Sequence, residues 1–385
     1  MNTGTLIRGR YVLTSAEPAE ILDGAVRVVG EGVDAVGVWA DLRARFPEDQ
    51  AAGDENAIVV PGFVNTHGHF SEALITGIAE QYTLWEWIGA VIGPVAPHLD
   101  EDMAYTGTLL AGIQMLRSGI TLANDMFVCD PHSGPVTPGV VRALDELGLR
   151  GVVSYGAADV RGMSIPRVLE EHGALLEAAR GSRLSRFRVG VAGLGAQSDE
   201  LFAHSVALAG DGHGTHIHLQ EVREEVTAVR TATGRTPIAR CAEAGLFAAP
   251  GVAAHCVWVD ESDRELLADN HVGVAHNPVS NMILASGVCP VPALRRAGVS
   301  VGIGVDGPAS NDRQDMLEAI KLAVLLQRVD KLQATAMSAR DGFAMATIEG
   351  ARCLGVDGEV GSLEAGKAAD VVVFDGDSPA LANIH

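Results

Sequence analysis

Residues 59–70 read VVPGFVNTHGHF, a short apolar run ending in two histidines two positions apart, His67 and His69. Residues i and i+2 of a β-strand face the same side, so both imidazoles would aim at one spot. Alone, an HxH pair is weak, because two incidental histidines explain it equally well. Other runs end similarly. Residues 215–221 read THIHLQE and carry His216, His218 and Glu221; residues 253–260 read AAHCVWVD with His255; residues 301–312 read VGIGVDGPASND with Asp306. Polar ionisable groups at the ends of four apolar runs are a pattern that chance explains poorly.

Eight such runs occur, at 57–65, 119–126, 151–155, 187–192, 215–219, 252–257, 272–276 and 299–305. Between most of them lie segments with apolar residues at i, i+3 and i+4, such as 103–117, 167–179 and 315–328, the spacing of amphipathic helices. Eight strands, mostly followed by helices, predict a (β/α)8 TIM barrel over residues 58–355, with its active site at the C-terminal strand ends. A doubly wound sheet is the alternative, but no GxGxxG follows the first strand. Residues 5–40 and 360–375 instead alternate in short β-like pieces. They predict a small β-sandwich-like domain formed by segments 1–57 and 356–385. No internal repeat or low-complexity tract interrupts the chain.

The 385 residues suit this size, and 47% hydrophobic with 20% charged residues describes a folded globular chain. Forty-nine acidic against 28 basic side chains give a formal charge of -21, which disfavours nucleic acid and anionic membrane surfaces as partners. A small neutral or cationic substrate fits better, and a homo-oligomer is compatible with the composition. The start of the chain carries no secretory pattern, and no apolar run approaches the roughly 20 residues of a membrane span. Five scattered cysteines without CxxC spacing read as free thiols of a cytoplasmic protein.

The strand-end residues suit a catalytic divalent metal. His67, His69, His218 and Asp306 offer three nitrogens and one oxygen, a set that zinc favours with a position left for water. Glu221 and His255 remain as proton handlers beside that water. With these motifs the chain resembles the amidohydrolase superfamily, in the metal-dependent deaminase branch that holds S-adenosylhomocysteine/methylthioadenosine deaminases, guanine and cytosine deaminases and triazine hydrolases. The stretches that carry the likeness are PGFVNTHGH (61–69), the segment 84–121 beginning LWEWIGAVIGP, HIHLQE (216–221), AAHCVWVD, AHNPVSN (275–281), GVDGPASN (304–311) and GSLEAGKAADVVVFD (361–375).

The resemblance implies that His67, His69, His218 and Asp306 bind one divalent metal, first Zn2+, with Fe2+ or Mn2+ accepted by the same ligands. It makes Glu221 the general acid/base and His255 the group that polarises the attacking water, with Asp306 also holding it. Members with two metals bridge them with a carbamylated lysine from a barrel strand. The only lysines here are Lys321, Lys331 and Lys367, none in a predicted strand, which leaves a mononuclear site. The implied activity is hydrolytic deamination of an amino-substituted N-heterocycle (purine, pyrimidine, pterin or triazine-like) by hydroxide generated at the metal, a cyclic amidine deaminase acting on non-peptide C–N bonds. The alternatives are a hydrolase displacing chloride or an alkylamine, and a non-catalytic binding protein of the same fold.

Three departures bear on the substrate. Ala96 stands where nucleoside-type members carry an acidic residue, Leu194 falls where they place a histidine, and Ile283 replaces a usual lysine. Metal chemistry thus reads as intact and nucleoside recognition as weakened. Trp85, Trp87 and Ser310 are candidate substrate contacts, although rim packing explains the tryptophans and loop orientation Ser310. His276 and Asn281 read as structural hydrogen-bonding groups. His98, His172, His204 and His271 read as surface residues, and Glu170–Glu171 and Glu224–Glu225 as solvated helix faces.

Overall fold

A computed structural model describes residues 3–78, 81–378 and 381. The N-terminal segment forms β1 (Thr5–Leu13), β2 (Glu20–Val29), β3 (Gly32–Val38), β4 (Gln50–Gly53) and β5 (Ile58–Pro61). The barrel strands follow as β6 (Phe63–Gly68), β7 (Ile120–Phe127), β8 (Arg150–Tyr155), β9 (Ser185–Val191), β10 (Thr215–Leu219), β11 (Gly251–His255), β12 (Gly273–His276) and β13 (Val301–Ile303), and β14 (Val371–Phe374) returns to the first group. β6 to β13 make one eight-stranded sheet in sequential order with parallel neighbours. The seam closes where Asp306 N donates to His67 O at 3.0 Å and Gly68 bridges Asp306. Flanking helices complete a TIM barrel, as the alternation of runs predicts.

One run departs from its reading as a single barrel strand. Residues 57–65 fall in two strands, β5 and β6, which part at Gly62. A Cβ there would lie 2.0 Å from the Thr121 hydroxyl, so the close approach requires glycine. Ahead of Gly62, β5 pairs with β1 and β14; beyond it, β6 pairs with β7. The chain ends share a single six-stranded sheet in the order β14-β5-β1-β2-β3, with β4 also on β1.

Side-chain caps start the barrel helices where the sequence supplies them. Asp100 accepts from Met103 N ahead of Glu101–Arg117, Ser198 from Leu201 N ahead of Asp199–Leu208, and Asp260 from Asp263 N ahead of Glu261–Asp269. The apolar stripe of helix Ile165–Gly181 faces the sheet through Val168, Leu175 and Ala179. Two residues expected on the surface lie on that same stripe. Glu171 is buried and its carboxylate accepts from Val136 N, Thr137 N and Thr137 Oγ1. His172 is 3% exposed, wedged against Tyr155 and Phe187. Among the described residues no helix is long and apolar enough to cross a membrane.

Candidate active site

The C-terminal ends of β6, β10, β11 and β13 bring six of the expected residues to one place. His67 Nε2 and His69 Nε2 lie 3.3 and 3.4 Å from Asp306 Oδ1, and His218 Nε2 lies 3.1 Å from His69 Nε2. His255 Nε2 stands 3.5 Å from Glu221 Oε2 and 3.9 Å from Asp306 Oδ2. The ligand atoms of His67, His69 and His218 fall within 4.8 Å of one another, as do those of His67, His255 and Asp306.

Hydrogen bonds fix what each imidazole presents. The Nδ1 of His69 faces the Met126 carbonyl at 2.6 Å and that of His218 the Ala192 carbonyl at 2.8 Å. A carbonyl only accepts, so both Nδ1 atoms carry the proton and both Nε2 atoms turn a lone pair inward. For His67 the proton is fixed through a relay. Ser154 Oγ donates to Asp125 O, so it accepts from His216 Nδ1 at 3.0 Å. His216 Nε2 therefore accepts, taking the His67 Nδ1 proton at 2.8 Å and Asn124 Nδ2 at 3.3 Å. That leaves His67 Nε2 with an inward lone pair, and it is buried without a hydrogen-bond partner. His255 is the opposite case. Its Nδ1 accepts from Asn281 Nδ2 at 3.0 Å and Asn277 Nδ2 at 3.2 Å, so its Nε2 carries a proton into the site. Three imidazoles thus offer lone pairs and one offers a donor.

Burial sets the charge states. It pushes His67 down to about 4 despite the pull of Asp306, and holds His69 below and His218 well below the usual imidazole range. Burial would raise Asp306, but His67, His255 and His69 outweigh it and hold the carboxyl well below its ordinary value. Glu221 moves upward through burial, partly countered by His255. Neutral imidazoles beside an ionised carboxylate are the protonation states a divalent metal requires.

Of these groups His69, His218, Glu221, His255 and Asp306 form the floor of a cavity of about 330 Å³. Trp85, Trp87 and Ser310 all line it, Trp87 buried and Trp85 51% exposed at the mouth. Leu194 also lines it, and the wall continues through Leu84, Ile88, Ile92 and Val160. Glu225 departs from its reading as a solvated residue. It lines the cavity, its Oε2 accepts from Glu221 N, and burial followed by the nearby Glu221 charge raises it to about 8. Of the two residues read as structural hydrogen-bonding groups, Asn281 donates to His255 and Glu221, whereas both ring nitrogens of His276 are buried without a partner.

Glu72 was not foreseen. It is 2% exposed, lines the cavity and accepts from Ala309 N. Burial and the Asp306 charge raise its carboxyl well above the usual range. A Cβ at Gly307 would meet its carboxylate at 1.8 Å, so this approach also depends on glycine. Ser280 and Ser286, equally unforeseen, donate to Asp306 Oδ2 and Glu221 Oε1. Glu72 lies past the strand in a short turn with no periodicity to mark it. Ser280 stands in the AHNPVSN motif already singled out, which was its only trace, and Ser286 lies beyond that motif with none.

Residues 58–385 match the amidohydrolase family. A 5'-deoxyadenosine deaminase of Methanothermobacter thermautotrophicus is 40% identical over 84% of this chain and 75% of its own length. A 5-methylthioadenosine/S-adenosylhomocysteine deaminase of Desulforudis audaxviator is 37% identical over 99% of this chain and 87% of its own. The crystal structure of an adenosine deaminase from Xanthomonas campestris with bound zinc superposes with a TM-score of 0.92 at 30% identity, over 100% of this chain and 87% of that one.

Proposed function

Because this chain belongs to the amidohydrolase family, we propose that its strand-end cluster is the centre of a metal-dependent hydrolytic deaminase acting on an amino-substituted N-heterocycle. The observation that carries the reading is the division of the imidazoles. His67 and His69 turn lone pairs toward Asp306 and His218 turns one toward His69 Nε2, while His255 turns a proton toward Glu221 and Asp306. Relatives named as deaminases, hydrolases of non-peptide C–N bonds, support the same class.

His67, His69, His218 and Asp306 would hold the ion. The orphaned, buried His67 Nε2 fits this role, since a buried nitrogen without a partner is costly unless something binds it. We take the ion to be zinc, which suits imidazole and carboxylate ligands and is bound in the Xanthomonas structure; Fe(II) and Mn(II) suit the same donors. When bound, such an ion supplies Lewis-acid chemistry and brings the pKa of a water near 7.

The chain's own groups handle the protons. Glu221, fixed by Ser286 Oγ at 2.9 Å, takes a proton from the attacking water and returns it to a ring nitrogen. His255 Nε2–H and Asp306 hold the water's oxygen against the ring carbon that bears the amino group. A C–O bond forms and the C–N bond breaks. Water and the amino-heterocycle give the oxo-heterocycle and ammonia, with no redox change. The five cysteines, all free and buried, fit a reducing compartment such as the cytoplasm.

The test is ammonia release by zinc-loaded protein from aminopurines, aminopyrimidines, pterins and triazines. Glu221→Gln should keep metal and substrate binding while turnover falls by about 100- to 10,000-fold. Near-normal turnover with a lowered melting temperature would reduce Glu221 to a residue that merely shapes the start of helix Arg223–Thr233.

A further inference from the structure

The carboxyl, imidazole and hydroxyl groups lining the cavity are gathered at one end. His69, His218, His255, Glu221 and Asp306 are mutual neighbours, and Glu72, Glu225 and Ser310 attach to the same cluster through Ala309 N, Glu221 N and Gly307 O. Beyond them the wall is Leu84, Trp85, Ile88, Ile92, Val160 and Leu194. Three backbone acceptors beside this wall are engaged: Ala192 O by His218, Gly193 O by Ala196 N, and Ala196 O by Asp159 N. Its one arginine, Arg161, faces Asp130 at 3.8 Å. At the mouth, Trp85 and Val160 stay 51% and 57% exposed, large apolar surfaces that a ligand would cover.

A sugar on this wall would find donors in the indole N–H of Trp85 and Trp87 and in Arg161, but no side-chain acceptor for its hydroxyl protons, leaving those under-bonded. A phosphate would enter a cavity whose floor holds four carboxyl groups, Glu72, Glu221, Glu225 and Asp306. An alkyl or aryl group instead meets indole and aliphatic surface. Building on the deaminase reading, we infer that the substrate is an amino-heterocycle bearing a neutral alkyl or aryl substituent in place of a sugar. The heterocycle's amino carbon sits at the polar floor, and the substituent lies on the wall between Trp85, Val160 and Leu194.

Matched compounds test this on the zinc-loaded full chain, in both the adenine and the cytosine series. For adenine they are 9-benzyladenine, adenosine, 5'-deoxyadenosine and a 9-(carboxyalkyl)adenine; the cytosine set carries the corresponding N1 substituents. Ammonia release gives kcat/KM, and calorimetry gives Kd independently of turnover. The expected result is that the benzyl compound of at least one series exceeds its ribosyl partner by about 100-fold, the rejection an apolar pocket achieves against added hydroxyls. Val160→Asp, a change at an exposed position, should cut that ratio by about tenfold or more. Equal or better use of the ribosyl compounds, preference for the carboxyalkyl ones through Arg161, or no binding in either series would overturn the inference. Tight benzyl binding without ammonia release would sink the deaminase reading and leave the pocket assignment standing.

Discussion

At the scale of single residues, the position of one proton on each imidazole decides what the site can do. His216 is not near enough to the Asp306 carboxylate to share its work, yet it forces His67 to present Nε2 as a lone pair. Replacing it with phenylalanine keeps a flat ring and removes the acceptor. His216→Phe should weaken zinc binding by about 10- to 100-fold, the usual cost of losing a group that orients a metal ligand. Competition with a chromophoric chelator reads this directly, and unchanged affinity would remove His216 from the relay. His255 should behave differently because its Nε2 is a donor. His255→Gln should hold zinc at the wild-type level by elemental analysis while losing most turnover. Parallel loss of metal and activity would make it a ligand.

Strand ends and helix starts carry the next level of organisation. His255 and Asp306 sit at φ of 73° and 57°, in the left-handed region that costs non-glycine residues on the order of 1–3 kcal/mol. His255 ends β11 and Asp306 follows β13 by three residues, and both line the cavity. The barrel seam makes the same point: the Asp306 N–H that closes it bonds the carbonyl of His67, so closure and ligand assembly are one event. On the helical side, the Glu171 carboxylate gathers Val136 N, Thr137 N and the Thr137 hydroxyl at the start of helix Pro138–Leu147. Glu171→Ala would leave those buried donors unpaired, at about 1–3 kcal/mol for each group left unsatisfied. A melting temperature lowered by several degrees with zinc content unchanged is the expected result. A melt within a degree of wild type would show that water replaces the carboxylate.

For the molecule as a whole, buried neutral histidines link stability to pH. His172 lies far from the metal ligands in sequence, and burial pushes it down to about 4. The unfolded chain binds a proton at this residue below about 6.5, and the folded chain does not until about 4. Stability from this residue is therefore complete above pH 6.5 and drains away as pH falls toward 4. The gap of about 2.5 units corresponds to roughly 3 kcal/mol. His276 is pushed the same way by burial, to about 3, so acid sensitivity is shared among several sites. His172→Phe keeps a ring between Tyr155 and Phe187 and removes one of them. Urea titrations at pH 7 and pH 5 should show a smaller loss for the variant than for wild type. An identical loss would mean that His172 takes up its proton in the folded state.

The sequence alone determined the barrel and the identity of the six strand-end residues. Two physical regularities made them legible. Period-two alternation puts i and i+2 on one face, and a parallel barrel collects all its C-terminal strand ends at one mouth. A histidine or aspartate ending an apolar run is therefore both conspicuous and placed. The change of sheet at Gly62 was hidden because the chain keeps its apolar pattern on both sides of it. Glu171 and His172 had a trace, since they fall on the stripe of Val168, Leu175 and Ala179, but polarity outweighed position when they were read as surface. Only the tertiary structure decided the proton on His67, which depends on Ser154 and His216 from two other strands. It alone brought Glu72 against Gly307 and Ala309 and separated the polar floor of the cavity from its largely apolar wall. Each of these rests on atoms from segments far apart in the chain, and their meeting is set by how the barrel closes, which no local periodicity encodes.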